Sequence, residues 1–335
     1  MMDGSADEGA MHDPIESGSG VSGAGRLSAL APGPLPELRK AATSPRRYLV
    51  FTSAGDRHAV PSWLAATRDF DLWVAWYGKG PDSLESQADY YLRRAGSKFQ
   101  NLHYCFQRWP ELLERYEAVM VMDDDIRISP AKIDTLFALR RKHDLWALQP
   151  AFSPLGKLSY HINRVQRECL HRFVDFIEMT CPLFRTDKLC DFLRVYDPEL
   201  VGWGCDWWFM HTMGRDLRGR VAIVDSVVCV NPRDSWKPGG VREIDVLQSA
   251  EKRRATWLRI RESRGILGEV EGPHEFGAVM RPMWSRWVMR SFGLAERAIV
   301  RVVDSGNRKL KARVRGAGRT PPAVGSSRSD NDSCA

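Results

Sequence analysis

Short apolar runs alternate with longer amphipathic stretches from residue 48 to residue 230. Runs that are apolar at every position, instead of at every second one, are typical of strands covered on both faces. The apolar runs are Tyr48–Thr52, Leu72–Tyr77, Ala118–Met122, Leu145–Gln149, Phe173–Met179 and Val221–Val230. The helix-like stretches between them are Pro61–Thr67, Ser86–Arg94, Pro110–Arg115, Pro130–Lys142 and Asp187–Tyr196. This alternation predicts an α/β fold with a mixed, mostly parallel sheet flanked by helices.

The regions on either side of this core differ from it in composition. Residues 1–44 are small, polar and rich in proline, which predicts a disordered N-terminal segment. We expect the α/β domain at 45–265, an amphipathic helical segment at 266–304 and a basic disordered tail at 305–335. From Met283 to Val303, four arginines share one narrow helix face, opposite Trp284 and Trp287. Such a helix could pack on the domain or lie on a membrane surface.

Charge and cysteine content narrow the class of protein. The net charge is +7, and the segment from Arg281 onward holds twelve Lys/Arg against four Asp/Glu, so the basic character belongs to the tail. The seven cysteines form no CxxC pair, which predicts reduced thiols. The sequence shows neither a secretion signal nor an apolar run of membrane-spanning length. We therefore expect a cytoplasmic protein, with peripheral attachment at the inner face of the membrane as an option.

The apolar run Ala118–Met122 ends in three consecutive aspartates, Asp123, Asp124 and Asp125. Open α/β sheets bind ligands beyond the carboxyl ends of their strands, and clustered carboxylates suit Mg²⁺ or Mn²⁺. In an extended chain Asp123 and Asp125 point to one side and Asp124 to the other. Alternatively, one aspartate caps the helix predicted at Pro130 and the others are solvated. We expect a metal or nucleotide site, with Asp123 and Asp125 as the metal ligands.

Five blocks of sequence, in this order, carry a resemblance to a known family. They are YLVFTSAGDR at 48–57, YYLRRAGSKFQNLH at 90–103, MDDDI at 122–126, DLWALQP at 144–150 and GWGCDW at 202–207. Together they resemble the family called domain of unknown function 707, which is similar in pattern to glycosyltransferases of the GT-A fold. The resemblance implies that residues 45–265 form a GT-A-like domain. It also implies metal-dependent transfer of a sugar from a nucleotide-sugar donor to a glycan or lipid-linked acceptor.

The resemblance also implies roles for individual residues. The turn after the first strand would line the nucleotide, and a cationic cluster would neutralise its diphosphate. Asp123 would lie near the ribose and Asp125 would hold the metal, Mn²⁺ or Mg²⁺. The residues expected to bind the nucleotide-sugar are Thr52, Ser53, Ala54, Gly55, Asp56, Arg57, Arg93, Arg94, Lys98, Asp123, Asp124 and Trp203. For the cationic cluster, an exposed basic helix end is an equal alternative.

Two carboxylates are candidates for the catalytic base. Asp206 follows the Gly202-Trp-Gly204 loop, in which a Trp203 ring could stack on a sugar, and a carboxylate there could accept the proton of the acceptor hydroxyl. The alternative makes the tryptophans core residues and Asp206 a helix cap. Glu178 lies in an apolar run, so it needs a partner or must line the cleft. It is our second candidate.

One departure from the GT-A pattern concerns the metal. A late histidine often completes the metal site in such enzymes, whereas this chain reads VVCVNPR at 227–233. Asn231 or water would have to take its place, since His161, His171 and His211 are expected to be structural or exposed. Two other functions stay open: another metal-dependent nucleotide enzyme, and a non-catalytic module that binds nucleotide-sugars or carbohydrates. We expect no specific nucleic-acid binding, although the basic tail keeps that alternative open.

Overall fold

A ten-stranded mixed sheet forms the centre of the fold in the computed structural model, which describes residues 37–81, 84–233 and 243–317. For residue 243 and residues 303–317 only the backbone is described. The strand order is β1-β4-β3-β2-β5-β8-β6-β9-β7-β10. The strands are β1 Leu38–Lys40, β2 Tyr48–Ala54, β3 Phe70–Trp76, β4 Tyr90–Arg93, β5 Ala118–Asp123, β6 Ala147–Phe152, β7 Cys169–Val174, β8 Leu183–Arg185, β9 Val221–Cys229 and β10 Glu275–Met280.

Most strands of this sheet run in the same direction. Parallel ladders join β4, β3, β2 and β5, and another joins β6 to β9. The short strand β8 pairs antiparallel with both β5 and β6, so β6 has the direction of β5. Strand β7 pairs antiparallel with β9 and β10. Among the described strands, seven therefore share one direction and β1, β7 and β8 oppose them, which confirms the predicted α/β class.

Helices cover both faces of the sheet. They are α1 Lys98–Arg108, α2 Pro110–Glu114, α3 Pro130–Lys142, α4 Thr186–Val195, α5 Cys205–Thr212, α6 Glu243–Leu247, α7 Ala250–Arg264, α8 Gly268–Glu271 and α9 Met283–Ala317, with 3-10 turns at Val60–Trp63 and His161–Asn163. Two apolar clusters lie on opposite faces of the strands, as the uniformly apolar runs require. In the described part of the chain, no helix is long and apolar enough to span a membrane.

Several sequence expectations were wrong in detail. The stretch Ser86–Arg94 was expected to be helical, but Tyr90–Arg93 is strand β4, because its tyrosines are buried between β1 and β3. The strand expected at Phe173–Met179 ends at Val174, so Glu178 lies in a loop. Strand β1 falls inside the segment 1–44 that was expected to be disordered. Helix α9 continues to Ala317, past the expected boundary at 304. Residues 1–36 and 318–335 lie outside the described residues.

Candidate functional site

The aspartate segment lies at the carboxyl edge of the sheet. Ser53 of β2 pairs with Asp123 of β5, so the turn after β2 and the turn after β5 are neighbours. The strand ends at Asp123, and the chain turns there, with the Ile126 amide donating to the Asp123 carbonyl at 3.3 Å. The alternation expected of an extended chain therefore stops at Asp123.

Asp124 fixes the turn that follows β2. Its Oδ2 accepts hydrogen bonds from the Gly55 amide at 3.0 Å and from the Tyr77 hydroxyl at 3.2 Å. Its carbonyl accepts from the Ala59 amide at 2.6 Å. A Cβ on Gly55 would lie 2.4 Å from the Tyr77 ring, so only glycine allows this close approach. Asp124 was expected to contact the nucleotide; the structure places its carboxylate against the protein's own backbone.

Asp123 forms an ion pair with a lysine from the start of helix α1. The Lys98 Nζ lies 2.8 Å from Asp123 Oδ1, and the Lys98 side chain is buried, whereas the Asp123 side chain is 47% exposed. The same ammonium donates to the carbonyls of Met179 at 2.5 Å and Thr180 at 3.0 Å. A buried lysine with this many acceptors cannot be the exposed basic helix end considered as the alternative.

The three expected cations do not form one cluster. Arg93 is exposed and donates to the Gly78 carbonyl at 3.2 Å. The guanidinium of Arg94 lies 4.7 Å from the centre of the Tyr104 ring and donates to Asn101, and burial lowers its pKa. Lys98 pairs with Asp123.

The turn that follows β2 is held mostly by contacts within the protein. Ser53 accepts from the Asn101 amide group at 2.8 Å, and Thr52 and Ala54 are buried. Asp56 accepts from the amides of residues 79 and 80, at 3.1 and 2.8 Å, and these bonds lower its pKa. Arg57 is exposed. The surface that a nucleotide could reach here is therefore formed by the rim of the turn and not by its buried strand residues.

Glu178 belongs to a closed network of polar side chains. Its carboxylate accepts from Ser159 at 2.9 Å, Thr180 at 2.8 Å and Asn163 at 2.6 Å. Its backbone amide donates to Gln149 Oε1 at 2.5 Å. Burial is the main cause that raises the pKa of Glu178, and the charge of Asp123 adds to it. The sequence predicted that Glu178 needs a partner. The structure supplies Ser159, Asn163 and Thr180, and nothing in the sequence indicated this grouping.

The Gly202-Trp-Gly204 loop is shaped by two left-handed glycines. Gly202 has φ +79° and Gly204 has φ +83°, a region that other residues rarely adopt. A Cβ on Gly204 would lie 2.0 Å from the Trp257 ring of α7, which packs beneath the loop. Trp203 is 45% exposed, whereas Trp207 and Trp208 belong to the core. Trp203 therefore has the exposed ring that was expected, whereas the alternative of core tryptophans holds for Trp207 and Trp208.

Asp206 lies in the first turn of α5. It is buried, and its Oδ1 accepts from the Trp207 amide at 3.0 Å. Burial raises the pKa of Asp206 to about 7, and the negative charge of Glu178 contributes to this shift. A carboxylate with a pKa near neutrality is suited to accept and release protons.

An aromatic cluster brings the two candidate carboxylates together. The ring of Phe176 lies 4.4 Å from that of Trp207 and 4.5 Å from that of Tyr160. These contacts pack helix α5 against the loops that carry Glu178 and Ser159. Asp123 raises the pKa of Glu178, and Glu178 raises that of Asp206, so the three carboxylates share one electrostatic neighbourhood.

His161, His171 and His211 lie on three different elements, and Asn231 comes shortly after strand β9. His171 is buried in β7, and His161 and His211 are exposed on other elements. Asn231 directly follows Val230, whose backbone pairs with that of Arg127 after the aspartates. Asn231 therefore lies on the segment next to the aspartate turn.

The acidic residues near the end of β5 are the candidate ligands of a divalent ion. Among the described residues, no group of three or more acidic, histidine or cysteine side chains is placed to hold a metal. Mg²⁺ is commonly held by one or two carboxylates together with substrate phosphates and water. Asp123 and Asp125 are carboxylates of the type that Mg²⁺ prefers, and Asp123 is already paired with Lys98. Their role as metal ligands stays a prediction.

Two cavities are found in the described part of the fold. One, of about 460 Å³, is lined by residues next to the carboxylates, including Ser159 and Tyr160. The other, of about 790 Å³, is lined by Arg46, Arg68 and Arg141 among others, and lies at the amino ends of β2 and β3. The smaller cavity adjoins the polar network of Glu178 through Ser159.

Comparisons with known proteins find solved structures of low similarity to this chain. No family profile matches the chain, and no curated protein matches it significantly. S. aureus TarS 1-349 in complex with UDP is 14% identical over 65% of this chain and 72% of that chain, with a TM-score of 0.37. Its complex with UDP-GlcNAc aligns over 65% and 73%, at 14% identity and a TM-score of 0.37.

A third structure aligns over more of the chain. The mannosyltransferase PcManGT from Pyrobaculum calidifontis, in complex with GDP-Man and Mn²⁺, is 13% identical over 84% of this chain and 83% of that chain, with a TM-score of 0.40. At identities of 13–14% and TM-scores of 0.37–0.40, these structures support no conclusion about this chain. The resemblance to domain of unknown function 707 stays a prediction.

Replacement of Gly204 by alanine tests the packing of the tryptophan loop. We expect a loss of more than about 2 kcal/mol in the free energy of unfolding, because the new Cβ collides with Trp257 in addition to straining the backbone. Gly214→Ala is the matched control: its φ is +87°, but no atom lies within 4 Å of the added Cβ. Urea unfolding that gives equal losses for both variants would contradict this account.

Replacement of Lys98 by methionine tests the ion pair at Asp123. The change removes the donor shared by one carboxylate and two carbonyls, and we expect a loss of about 2 kcal/mol in stability. Lys132→Met is the control, since the Lys132 ammonium is exposed and donates to a single carbonyl. If thermal unfolding showed the two variants to be equally stable, Lys98 would not organise the site.

Proposed function

We propose that this protein is a glycosyltransferase that moves a sugar from a nucleotide-sugar donor to a glycan or lipid-linked acceptor. The observation that supports it most is a buried carboxylate, Asp206, whose pKa is raised to about 7. It follows the exposed Trp203 by three residues, and its pKa is raised by Glu178, which is in turn influenced by Asp123. A proton acceptor, a stacking surface and a phosphate-facing edge are the parts that sugar transfer needs.

Asp206 is the better of the two candidate bases. Glu178 already accepts three hydrogen bonds from side chains. Its carboxylate therefore joins its own loop to the segment that carries Ser159 and Asn163. Asp206 accepts from the Trp207 amide through Oδ1, and its raised pKa favours proton transfer at neutral pH. Asp206 would take the proton of the acceptor hydroxyl, and Glu178 would act as a positioning residue. Direct attack by that hydroxyl would invert the anomeric centre.

The donor would bind at the edge formed by the turns after β2 and β5. Asp123 would face the ribose, and Asp123 and Asp125 would hold Mn²⁺ or Mg²⁺ against the diphosphate. When bound, such an ion neutralises the diphosphate and stabilises the departing nucleotide. Lys98 keeps Asp123 in place from the protein side, and the exposed Arg57 and Arg93 are within the same edge. Trp203 would stack on a sugar ring.

A thermal-shift screen tests the donor site. We expect the full-length protein to be stabilised by one of the UDP-, GDP- or CMP-linked sugars, and more strongly with Mn²⁺ than without. Asp125→Ala should lose the Mn²⁺-dependent part, because a metal ligand is gone. Asp216→Ala, which removes an exposed aspartate on another loop, should respond as the wild type does. A wild type that no nucleotide-sugar stabilises refutes the donor site.

The pH dependence of the reaction tests Asp206. The base must be ionised, so kcat/KM should rise with pH to a plateau above about 7. Asp206→Asn should lower kcat by roughly 10²–10⁴-fold, the range for loss of a general base. Asp216→Asn should leave kcat unchanged. An Asp206→Asn variant with wild-type kcat would assign the base elsewhere.

Asp206→Asn, which should lower kcat, should by contrast raise the stability of the folded protein at alkaline pH. The folded-state pKa of Asp206, about 7, exceeds the value of 3.8 for an exposed aspartate. Ionisation therefore opposes folding, and the stability that Asp206 contributes is lost as pH rises from about 4 to 7. Asp206→Asn removes this cost and should be more stable than the wild type at pH 8, by on the order of 2 kcal/mol. Stability measured at pH 4 should differ much less.

A non-catalytic nucleotide-sugar module is the second candidate, favoured by the complete hydrogen bonding of Glu178. It predicts the same thermal shifts but no release of nucleotide from the donor, with or without an acceptor mixture. Nucleotide release that requires Asp206 would separate the two functions in favour of the transferase.

A further inference from the structure

Helix α9 turns its apolar face away from the domain. The large side chains of that face are strongly exposed, with Trp284 at 78% and Trp287 at 71%. Others that follow at helical spacing or flank this face are also exposed, namely Val288, Phe292, Leu294 and Ile299. The sequence left open whether this helix packs on the domain through its tryptophans; the structure shows that it does not.

The opposite, polar side of the helix attaches it to the domain. Glu296 pairs with Arg167, with Nη2 and Oε1 2.8 Å apart, and Arg290 pairs with Glu168 at 3.0 Å. Gly293 lies against the side chain of Arg167, where an added Cβ would be 3.7 Å from it. The apolar face is thus presented outward by polar contacts on its back.

The charge around this face is positive. Between residues 281 and 302 the chain has five arginines and one acidic residue, Glu296, which is bound to Arg167. Tryptophan on the apolar side with arginine at its border is the composition of helices that lie in the interface of anionic membranes. Pairing of this face with a second copy would bring two sets of arginines together. No helix in the described residues can span a bilayer, so the contact would be parallel to the surface.

We propose that the exposed face of α9, centred on Trp284 and Trp287, binds the surface of an anionic lipid bilayer. The apolar side chains enter the boundary between headgroups and acyl chains, while Arg297 and Arg301 remain at the headgroup level. This inference does not depend on the proposed transfer activity.

Vesicle flotation with the full-length protein tests the proposal. The probes are vesicles of phosphatidylcholine alone and vesicles in which about one third of the lipid is phosphatidylglycerol. We expect binding to the anionic vesicles, at least tenfold weaker binding to the neutral ones, and a reduced anionic preference when salt is raised from about 0.1 to about 0.5 M. A wild type that stays unbound with anionic vesicles overturns the proposal.

Two variants identify the surface. Trp284→Ser/Trp287→Ser should reduce vesicle binding at least tenfold with an unchanged unfolding temperature, since both rings are exposed. Leu267→Ser/Val270→Ser removes apolar side chains of comparable exposure elsewhere, 55% and 75%, and should bind as the wild type does. If the tryptophan variant binds vesicles normally, the proposal is wrong. It is also wrong if the wild type is a dimer that binds no vesicles and the tryptophan variant is a monomer, because a second copy then covers the face.

Discussion

The ammonium group of Lys98 holds together the elements on which the candidate site depends. It comes from the first turn of α1, pairs with Asp123 at the end of β5, and donates to the carbonyls of Met179 and Thr180. Three segments that are distant in the sequence are thereby fixed at one point of the sheet edge. Because its side chain is buried, its hydrogen bonds cannot be exchanged for water without a large cost. The position of Glu178, one residue before Met179, follows from this arrangement.

Partners of two of the three aspartates, Asp123 and Asp124, explain how an apolar strand can end in clustered negative charge. Asp123 is balanced by Lys98, and Asp124 is balanced by hydrogen bonds from Gly55 and Tyr77. Glu178 and Asp206 are instead buried near a negative charge, and both have raised pKa values. The site therefore combines carboxylates that accept an ion pair or hydrogen bonds from the protein, Asp123 and Asp124, with two buried carboxylates whose pKa values are raised. Such a division of roles between neighbouring acids is what separates a ligand-binding group from a base.

The sequence was most informative where a residue's own neighbours determine its structure. The uniformly apolar runs located β2, β3, β5, β6 and β9, and Pro130 marked the first residue of α3. The Gly-Trp-Gly sequence indicated an exposed ring at Trp203, and the Trp203 side chain is exposed in the structure. What it could not supply were contacts made between distant segments. Nothing near Lys98 indicates that it pairs with Asp123, and nothing near Glu178 indicates Asn163 or Ser159, because the packing of Phe176 against Trp207 creates that neighbourhood. Strand β4 was missed for the same reason: its tyrosines are buried by strands on either side.

The direction of β10 determines the edge of the sheet at which helix α9 begins. Strand β10 opposes β7, which opposes β9, so it runs in the direction of β5, and its last residue, Met280, lies at the carboxyl edge of the sheet. Helix α9 begins three residues later, on the same edge as Asp123. Five strand spacings separate β5 from β10, or roughly 24 Å at about 4.8 Å each. Arg290 and Glu296 of α9 contact Glu168 and Arg167, which precede β7 at the same edge, so the helix is anchored at the end of the sheet where the carboxylates are found. A lipid-linked acceptor, one of the two classes that the proposed activity allows, would be consistent with both the proposed transfer and the proposed bilayer contact.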